Sequence, residues 1–147
     1  MVDLNCGGSI WCNLAIALRH VGALYRHETE LLGLTVIEWY VLRTLYAQDG
    51  QIASQLARAV GRAPTSFTPT IDAIERKGFI QRRAHPSNRR RVRIHLTIQA
   101  KALEEQITAS ANRIECKIRQ QFSDKEWQIY ERVIENLQGL KPSETAD

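Results

Sequence analysis

The sequence predicts a mainly α-helical protein with one small antiparallel β-sheet near its centre. Apolar residues recur every three or four positions along most of the 147 residues, as one face of a helix requires. Residues 92–96 instead alternate apolar and polar side chains, as a half-buried strand does. The chain is long enough to bury one core, and its 44% apolar and 24% charged residues are typical of a globular domain.

Four helices are expected before the strands. Ser9 is placed to cap the first, and Thr35 with Glu38 forms a capping box for the second. Gly61 permits a tight turn before the fourth helix, and Gly78 ends that helix. The predicted ranges are about 9–30, 35–49, 53–59 and 64–77. The side chains expected to point inward from the fourth helix are Phe67, Ile71 and Ile74.

The remaining chain is expected to form two strands and two further helices. The strands cover 79–84 and 92–96, and the intervening HPSNRRR is interpreted as a turn with three arginines at its exit. A continuous helix with a near-heptad apolar stripe then covers about 98–121. Ser123 and Glu126 form a capping box for a last helix that ends before Gly139.

The positive charge of the chain is concentrated in one segment. Residues 76–103 hold nine Lys or Arg and no Asp or Glu, whereas the other residues together carry a net charge of −5. A basic segment on an otherwise acidic protein indicates a local site for a polyanion, although a merely solvated basic face would show the same pattern.

The order of elements is that of a helix-turn-helix followed by a β-wing, in which the second helix of the motif presents its first residues to base edges of DNA. Hydroxyls can reach phosphates and base edges, and arginines of a wing can enter the minor groove or bind phosphate. Arg82, Arg83 and Arg93 lie on the strands and are either phosphate contacts or solvated. The predicted DNA-binding residues are Arg62, Thr65, Ser66, Thr68, Arg89, Arg90 and Arg91.

The middle of the chain resembles the MarR (multiple-antibiotic-resistance regulator) family. The segments that carry the resemblance are GLTVIEWYVLRTL, SQLARAVGR, IDAIERKGFIQRR and NRRRVRIHLT. The resemblance implies a homodimer of winged helices that regulates transcription, commonly a repressor released by a small ligand or by cysteine oxidation. It also implies a winged-helix DNA-binding lobe at 34–97, dimerisation helices at 9–33 and 98–140, and a frayed tail at 141–147.

Three positions depart from the family pattern. His85 and Asn88 stand where the wing usually carries acids, and the second of these acids normally orients the wing-tip arginine, here Arg90. Asn88 can still accept a hydrogen bond but brings no charge, so Arg90 is expected to be held less firmly. Pro69 lacks an N–H and clashes inside a helix, so the recognition helix either begins near Ser66 or bends at Pro69.

The cysteines and aromatic residues support two further hypotheses. Three widely spaced cysteines make a poor disulfide framework, so reduced thiols are expected. Cys12 is either a buried interface residue or, as in the peroxide-sensing branch of the family, a redox site. Trp39 is expected in the core. The residues that either line an effector pocket or belong to the core are Trp11, His20, Tyr25 and Tyr40.

Other classes of protein are disfavoured by the sequence. It contains no nucleophile–base pair, phosphate loop or paired carboxylates, so we expect no enzyme, and no ligand pattern indicates a metal or cofactor. No apolar run is long enough to span a membrane and no signal peptide is recognised, which favours a cytoplasmic location. A winged helix that binds proteins instead of double-stranded DNA remains the alternative, although such a module more often exposes apolar residues.

Overall fold

The computed structural model describes residues 4–141 and confirms a mainly helical chain with a two-stranded wing. Single 3-10 turns precede α1 and α4, at Cys6–Gly8 and Pro64–Ser66. The elements of the described residues are α1 (Ile10–Glu30), α2 (Val36–Ala47), α3 (Ala53–Ala59), α4 (Thr68–Arg76), β1 (Ile80–His85), β2 (Asn88–Leu96), α5 (Ile98–Ala102), α6 (Glu104–Arg119) and α7 (Asp124–Gln138).

The helix starts follow the expected capping residues. The Ser9 hydroxyl accepts a hydrogen bond from the Cys12 N–H at the start of α1. Thr35 and Glu38 form a complete capping box at the start of α2, in which the Thr35 N–H donates to Glu38 at 2.8 Å. Ser123 and Glu126 form the same box at α7. These ends are confirmed because each cap acts within four residues of the chain.

Trp39 anchors the core beneath the helix-turn-helix. Its side chain is fully buried, as expected, and its indole N–H donates to the Ser110 hydroxyl at 3.0 Å. The side chains predicted to point inward here are buried, namely Phe67, which directly precedes α4, and Ile71 and Ile74 on α4. The Trp39 N–H is therefore satisfied inside an apolar core, which removes the penalty of a buried unpaired donor.

The wing is one antiparallel hairpin whose base is joined to the helices. Ile80 pairs with Leu96, and both side chains are buried. The Ile94 N–H donates to the Gln51 carbonyl at 2.8 Å, which ties β2 to the segment before α3. A register shift follows Ala84 near the tip of the hairpin.

Three predicted boundaries are wrong. The second strand begins at Asn88, so the wing arginines lie on β2 and the turn between the strands contains only Pro86 and Ser87. The expected continuous helix at 98–121 is interrupted at Leu103 between α5 and α6. The expected helix at 64–77 is divided, because Pro69 cannot donate a backbone hydrogen bond and α4 begins only at Thr68.

The expectation of reduced thiols is also wrong for two of the three cysteines. Cys6 and Cys12 form a disulfide, with their Cα atoms 6.3 Å apart, and Cys116 is free and exposed. Gly7 and Gly8 have φ angles of +60° and +83°, which turn the chain back towards the first turn of α1. Sequence spacing alone did not indicate this fold-back. Cys12 is half-buried within one chain.

The chain divides into two compact units, the first ending at Ala111 and the second beginning at Asn112. The second unit has its own aromatic cluster, in which Trp127 packs on Tyr130 with ring centroids 4.8 Å apart and Arg119 lies over the Trp127 ring. Within residues 4–141, none of the helices has the length and apolarity required to cross a membrane. Of the predicted tail at 141–147, all but Lys141 lies outside the described residues.

Candidate nucleic-acid interface

The helix-turn-helix is formed by α3, the turn at Gly61 and the segment that ends in α4. Leu56 and Ala57 bury the inner side of α3 completely. Gly61 has a φ of +69°, which residues other than glycine rarely adopt. The Arg62 N–H donates to the Ala57 carbonyl at 2.8 Å and closes the turn. The turn thus leaves the Arg62 side chain exposed at the entrance to the recognition segment.

The recognition segment, residues 62–69, surrounds one buried anchor with exposed hydroxyls. Phe67 is only 2% exposed and fixes the segment on the core, whereas Thr65, Ser66 and Thr68 are exposed on either side of it. The Ser66 hydroxyl donates its hydrogen to the Ala63 carbonyl at 3.3 Å, so its oxygen can only accept a hydrogen bond from a further group. The structure therefore brings the predicted hydroxyl groups together on one surface.

Pro69 occupies the second position of α4, where its missing N–H removes no hydrogen bond of the helix ladder. This outcome agrees with the first of the two expected alternatives, in which Pro69 lies in the first turn. The helix has no side-chain cap at its N-terminus. The first turn therefore presents threonine hydroxyls rather than a long charged side chain.

Arg89, Arg90 and Arg91 are all exposed on β2. They lie in the irregular part of the hairpin, because Ala84 pairs with Val92 and His85 pairs with Asn88, which leaves the three arginines without a partner in the strand register. The predicted wing arginines are thus brought together as exposed cations near the tip of the hairpin.

The two unusual wing residues each hold a neighbour. The Asn88 side chain accepts a hydrogen bond from the Arg90 backbone N–H at 3.1 Å. This bond fixes the backbone at Arg90 but does not hold the Arg90 guanidinium. His85 Nε2 lies 2.9 Å from a guanidinium nitrogen of Arg93, and since arginine can only donate, this imidazole nitrogen accepts. The expectation that Asn88 accepts a hydrogen bond is confirmed, and the Arg90 side chain is exposed.

Like charges face each other across the wing. Arg83 is the direct partner of Arg93 in the strand register, and both are exposed. Two cations in this position destabilise a hairpin by on the order of 0.2–1 kcal/mol. A bound polyanion would relieve this repulsion.

Asp49 secures the base of the wing. One of its oxygens accepts from the Leu96 N–H at 2.9 Å, and the other lies 3.2 Å from His95 Nδ1. Partial burial acts to raise the pKa of Asp49, but hydrogen bonds with Leu96, His95 and Gly50 outweigh it and lower that pKa. Asp49 therefore stays ionised and holds β2 beside the end of α2. No sequence pattern indicated this role.

The four predicted effector residues separate into two sets. Tyr25 stacks on Tyr40 with ring centroids 5.9 Å apart, and both rings meet Trp39 edge-on. His20 and Trp11 lie exposed on α1, and Trp11 keeps 81% of its surface accessible. The tyrosines form one aromatic cluster on the core, whereas the other two residues face away from it within the first unit.

A family model and solved structures relate this geometry to known proteins. The model of the MarR family matches residues 34–92. The S. aureus MepR–DNA complex is 24% identical, with a TM-score of 0.81 over 90% of this chain and 98% of that chain. The transcriptional repressor CouR, bound to a 23-mer DNA duplex, is 21% identical, with a TM-score of 0.80 over 93% and 98%.

A third similar structure is that of Bordetella bronchiseptica BpsR, whose DNA binding is regulated by 6-hydroxynicotinic acid. It is 16% identical and covers 95% of this chain and 100% of that chain with a TM-score of 0.83. At these identities the structures show a shared fold. The family match covers the segment that contains both the helix-turn-helix and the arginines of the wing, so this part of the chain is similar to the MarR family.

Proposed function

We propose that this regulator is a repressor that binds a pseudo-palindromic operator as a homodimer and is released by a small ligand. The observation that carries the proposal is the position of exposed hydroxyls and exposed arginines in one compact unit. Thr65 and Thr68 face outward from the recognition segment, and Arg90 extends from the wing of the same unit. The repressor CouR and the MepR complex were both solved on DNA, which supports the same use of this fold.

The two surfaces supply different parts of DNA recognition. Threonine hydroxyls bond base edges or phosphates, and threonine methyls contact thymine methyls in the major groove. Arginines of the wing bind phosphate, or the narrow minor groove of A·T-rich DNA, where the potential is most negative. We infer that Arg62, Thr65, Ser66 and Thr68 read the major groove and that Arg89, Arg90 and Arg91 supply most of the affinity.

Exposed apolar faces on two helices support the homodimer. On α1, Ile10, Leu14 and Leu18 are spaced by four residues and are 69%, 44% and 71% exposed. On α7, Ile129 and Val133 are 44% and 45% exposed. Apolar faces of this kind indicate a protein contact. A two-fold dimer would place its recognition helices about 34 Å apart, or one turn of DNA.

The aromatic cluster supports an effector site. Tyr25 and Tyr40 provide stacked rings and phenol groups on the Trp39 core, and Trp11 and His20 would border such a site only once a second copy covers α1. BpsR, which shares the fold, has DNA binding regulated by an aromatic acid, so the same class of ligand is the first to test. Replacing Tyr40 by Ala should reduce ligand-induced release of DNA while leaving DNA affinity unchanged.

Selection of bound duplexes from a random pool tests the function directly. We expect an inverted repeat with half-sites one DNA turn apart, and a stable dimer in sedimentation at micromolar concentration. Affinity for the selected duplex should fall steeply with salt, since each phosphate contact adds about 0.9 to the log–log slope. A stable monomer, or a pool without enrichment, would contradict the proposal, and the second result would favour a protein-interaction module.

The disulfide favours a second candidate, in which oxidation rather than a ligand controls DNA binding. A hydroperoxide would take two electrons and two protons from the thiols of Cys6 and Cys12 and become an alcohol and water, leaving the observed bond at the start of α1. The test compares DNA binding of reduced and peroxide-treated protein. Release from the wild type but not from Cys12→Ser supports this candidate, and equal binding by both forms excludes it.

A further inference from the structure

Arg82 connects the wing to the recognition helix through two carboxylates. Its Nη1 atom donates to Glu75 Oε1 at 2.5 Å, and its Nη2 atom donates to Asp72 Oδ1. The Arg82 backbone N–H also donates to the second oxygen of Glu75 at 3.0 Å. Asp72 and Glu75 lie three residues apart on α4, so both face the same side of that helix.

The strand register explains why Arg82 reaches α4 while its neighbour does not. Arg82 pairs with the buried Ile94 and lies on the inner face of the hairpin, whereas Arg83 lies on the outer face opposite Arg93. Both ends of the Arg82 guanidinium are therefore engaged by carboxylates of α4 at the protein surface. Partial burial acts to lower the pKa of Arg82, but the hydrogen bonds with Asp72 and Glu75 outweigh it and raise that pKa.

The acidic partners also need an explanation, because they lie on a helix that must approach phosphates. Two unpaired carboxylates on α4 would repel the DNA backbone, whereas in the structure each is paired with the same guanidinium. Arg82 is therefore not available as a phosphate contact, and the charge of this three-residue group is −1 instead of −2.

We propose that Arg82, Asp72 and Glu75 act as a clamp that sets the angle between the recognition helix and the wing. The clamp would allow the hydroxyls near Thr68 to enter the major groove while Arg90 enters the adjacent minor groove of the same half-site. Arg82 is then a positioning residue that touches no DNA. The inference rests on the proposed DNA-binding function and assigns a role to three side chains outside the contact surface.

The double variant Asp72→Asn/Glu75→Gln gives the sharpest test, because charge and geometry predict opposite results. Removing two negative charges near DNA should tighten binding if only charge matters. A broken clamp should instead weaken binding to the selected operator by about tenfold, as expected when one set of base or groove contacts is lost. Hydroxyl-radical footprinting should then lose protection in the minor groove at the wing and keep the pattern around the major-groove half-site.

Arg82→Ala and Arg83→Ala form a matched pair that separates positioning from phosphate binding. Arg83→Ala should lower the salt slope by about 0.9 and leave the footprint pattern unchanged if it contacts phosphate. Arg82→Ala should lose the wing footprint and lower the salt slope by more than Arg83→Ala does, because the phosphate contacts of the wing are lost together. Arg82→Lys should recover that footprint only partly, because an ammonium cannot bridge both acids in the same plane. Thermal unfolding of each variant ensures that binding is compared among folded proteins.

Two results would overturn the clamp. One is tighter binding by the double variant with an intact wing footprint, and the other is an Arg82→Ala variant that keeps the wing footprint and lowers the slope no more than Arg83→Ala does. If the wild type binds no duplex, the proposed function fails and this inference fails with it. If the wild type binds its operator and the variants bind with the same footprint, only the clamp fails.

Discussion

The recognition segment and the wing expose opposite kinds of surface. Residues 65–69 expose three hydroxyls and a proline around a buried Phe67 and carry no charge. Residues 88–93 expose four arginines, and the Asn88 side chain accepts from the backbone N–H of Arg90. The first surface is thus neutral except for Arg62 at its start, whereas the second is highly charged and lies at the end of a hairpin.

This contrast divides affinity from specificity between the two regions. Small side chains on a fixed helix discriminate between bases by short-range contact but contribute little long-range attraction. Arginines on a hairpin attract the backbone of any duplex and select mainly for groove width. Changes in the wing should therefore alter the salt dependence of binding to every duplex, and changes in the recognition segment should alter the choice of sequence.

The largest effect is expected from replacing Arg89, Arg90 and Arg91 together by Ala. If each contacts phosphate, the log–log salt slope should fall by about 2.7 and affinity for any duplex should drop on the order of 10²-fold. Gel shifts over a salt series with the operator and an unrelated duplex measure both quantities. A loss confined to the operator would break the comparison, because it would make the wing a reader of sequence.

Thr68→Val and Thr68→Ser should produce the next largest effect and a different pattern. The first removes the hydroxyl and the second removes the methyl group, so together they identify which group is read. The effective variant should lose about tenfold in operator affinity, equivalent to about 1–2 kcal/mol, with no change for an unrelated duplex. Parallel titrations of both duplexes at one salt concentration give the ratio, and an altered salt slope would contradict the neutral role of this segment.

Pro69→Ala tests how the recognition helix is positioned. Proline fits the first turn of α4, and its replacement should lower the free energy of unfolding by about 0.4–1 kcal/mol, mainly because the unfolded chain gains freedom. Urea denaturation measures this change, with Pro86→Ala in the turn of the wing as a comparison. A gain in stability would show that Pro69 is strained in α4.

Asp49→Asn is expected to give the smallest effect and addresses the base of the wing. The pKa of Asp49 is lowered in the folded protein, so its contribution to stability is present above its unfolded pKa of about 4 and is lost as the pH falls through the folded value. The variant should be less stable by up to about 1 kcal/mol near pH 7, since solvent screens the partly exposed carboxylate. The difference should vanish in acid, and Glu105→Gln on α6 serves as an exposed control.

The sequence predicted elements whose causes are local. The caps at Ser9, Thr35 and Ser123 lie at the expected positions because each satisfies a backbone donor two or three residues away. The inward stripe of α4 follows from helical periodicity alone. Two of the recognition hydroxyls and the wing arginines were placed on the wrong elements, because Thr65 and Ser66 lie in a 3-10 turn before α4 and the arginines expected in a turn lie on β2.

The tertiary structure decided which side chains meet. Arg82 could be assigned only to phosphate or solvent from sequence, whereas the register of β1 directs it to two acids seven and ten residues away on α4. Asp49 meets the end of β2 across 47 residues, and Cys6 meets Cys12 because two glycines reverse the chain. Caps and periodicity act within a turn or two, but these partners depend on the packing of separate segments, which spacing along the chain does not specify.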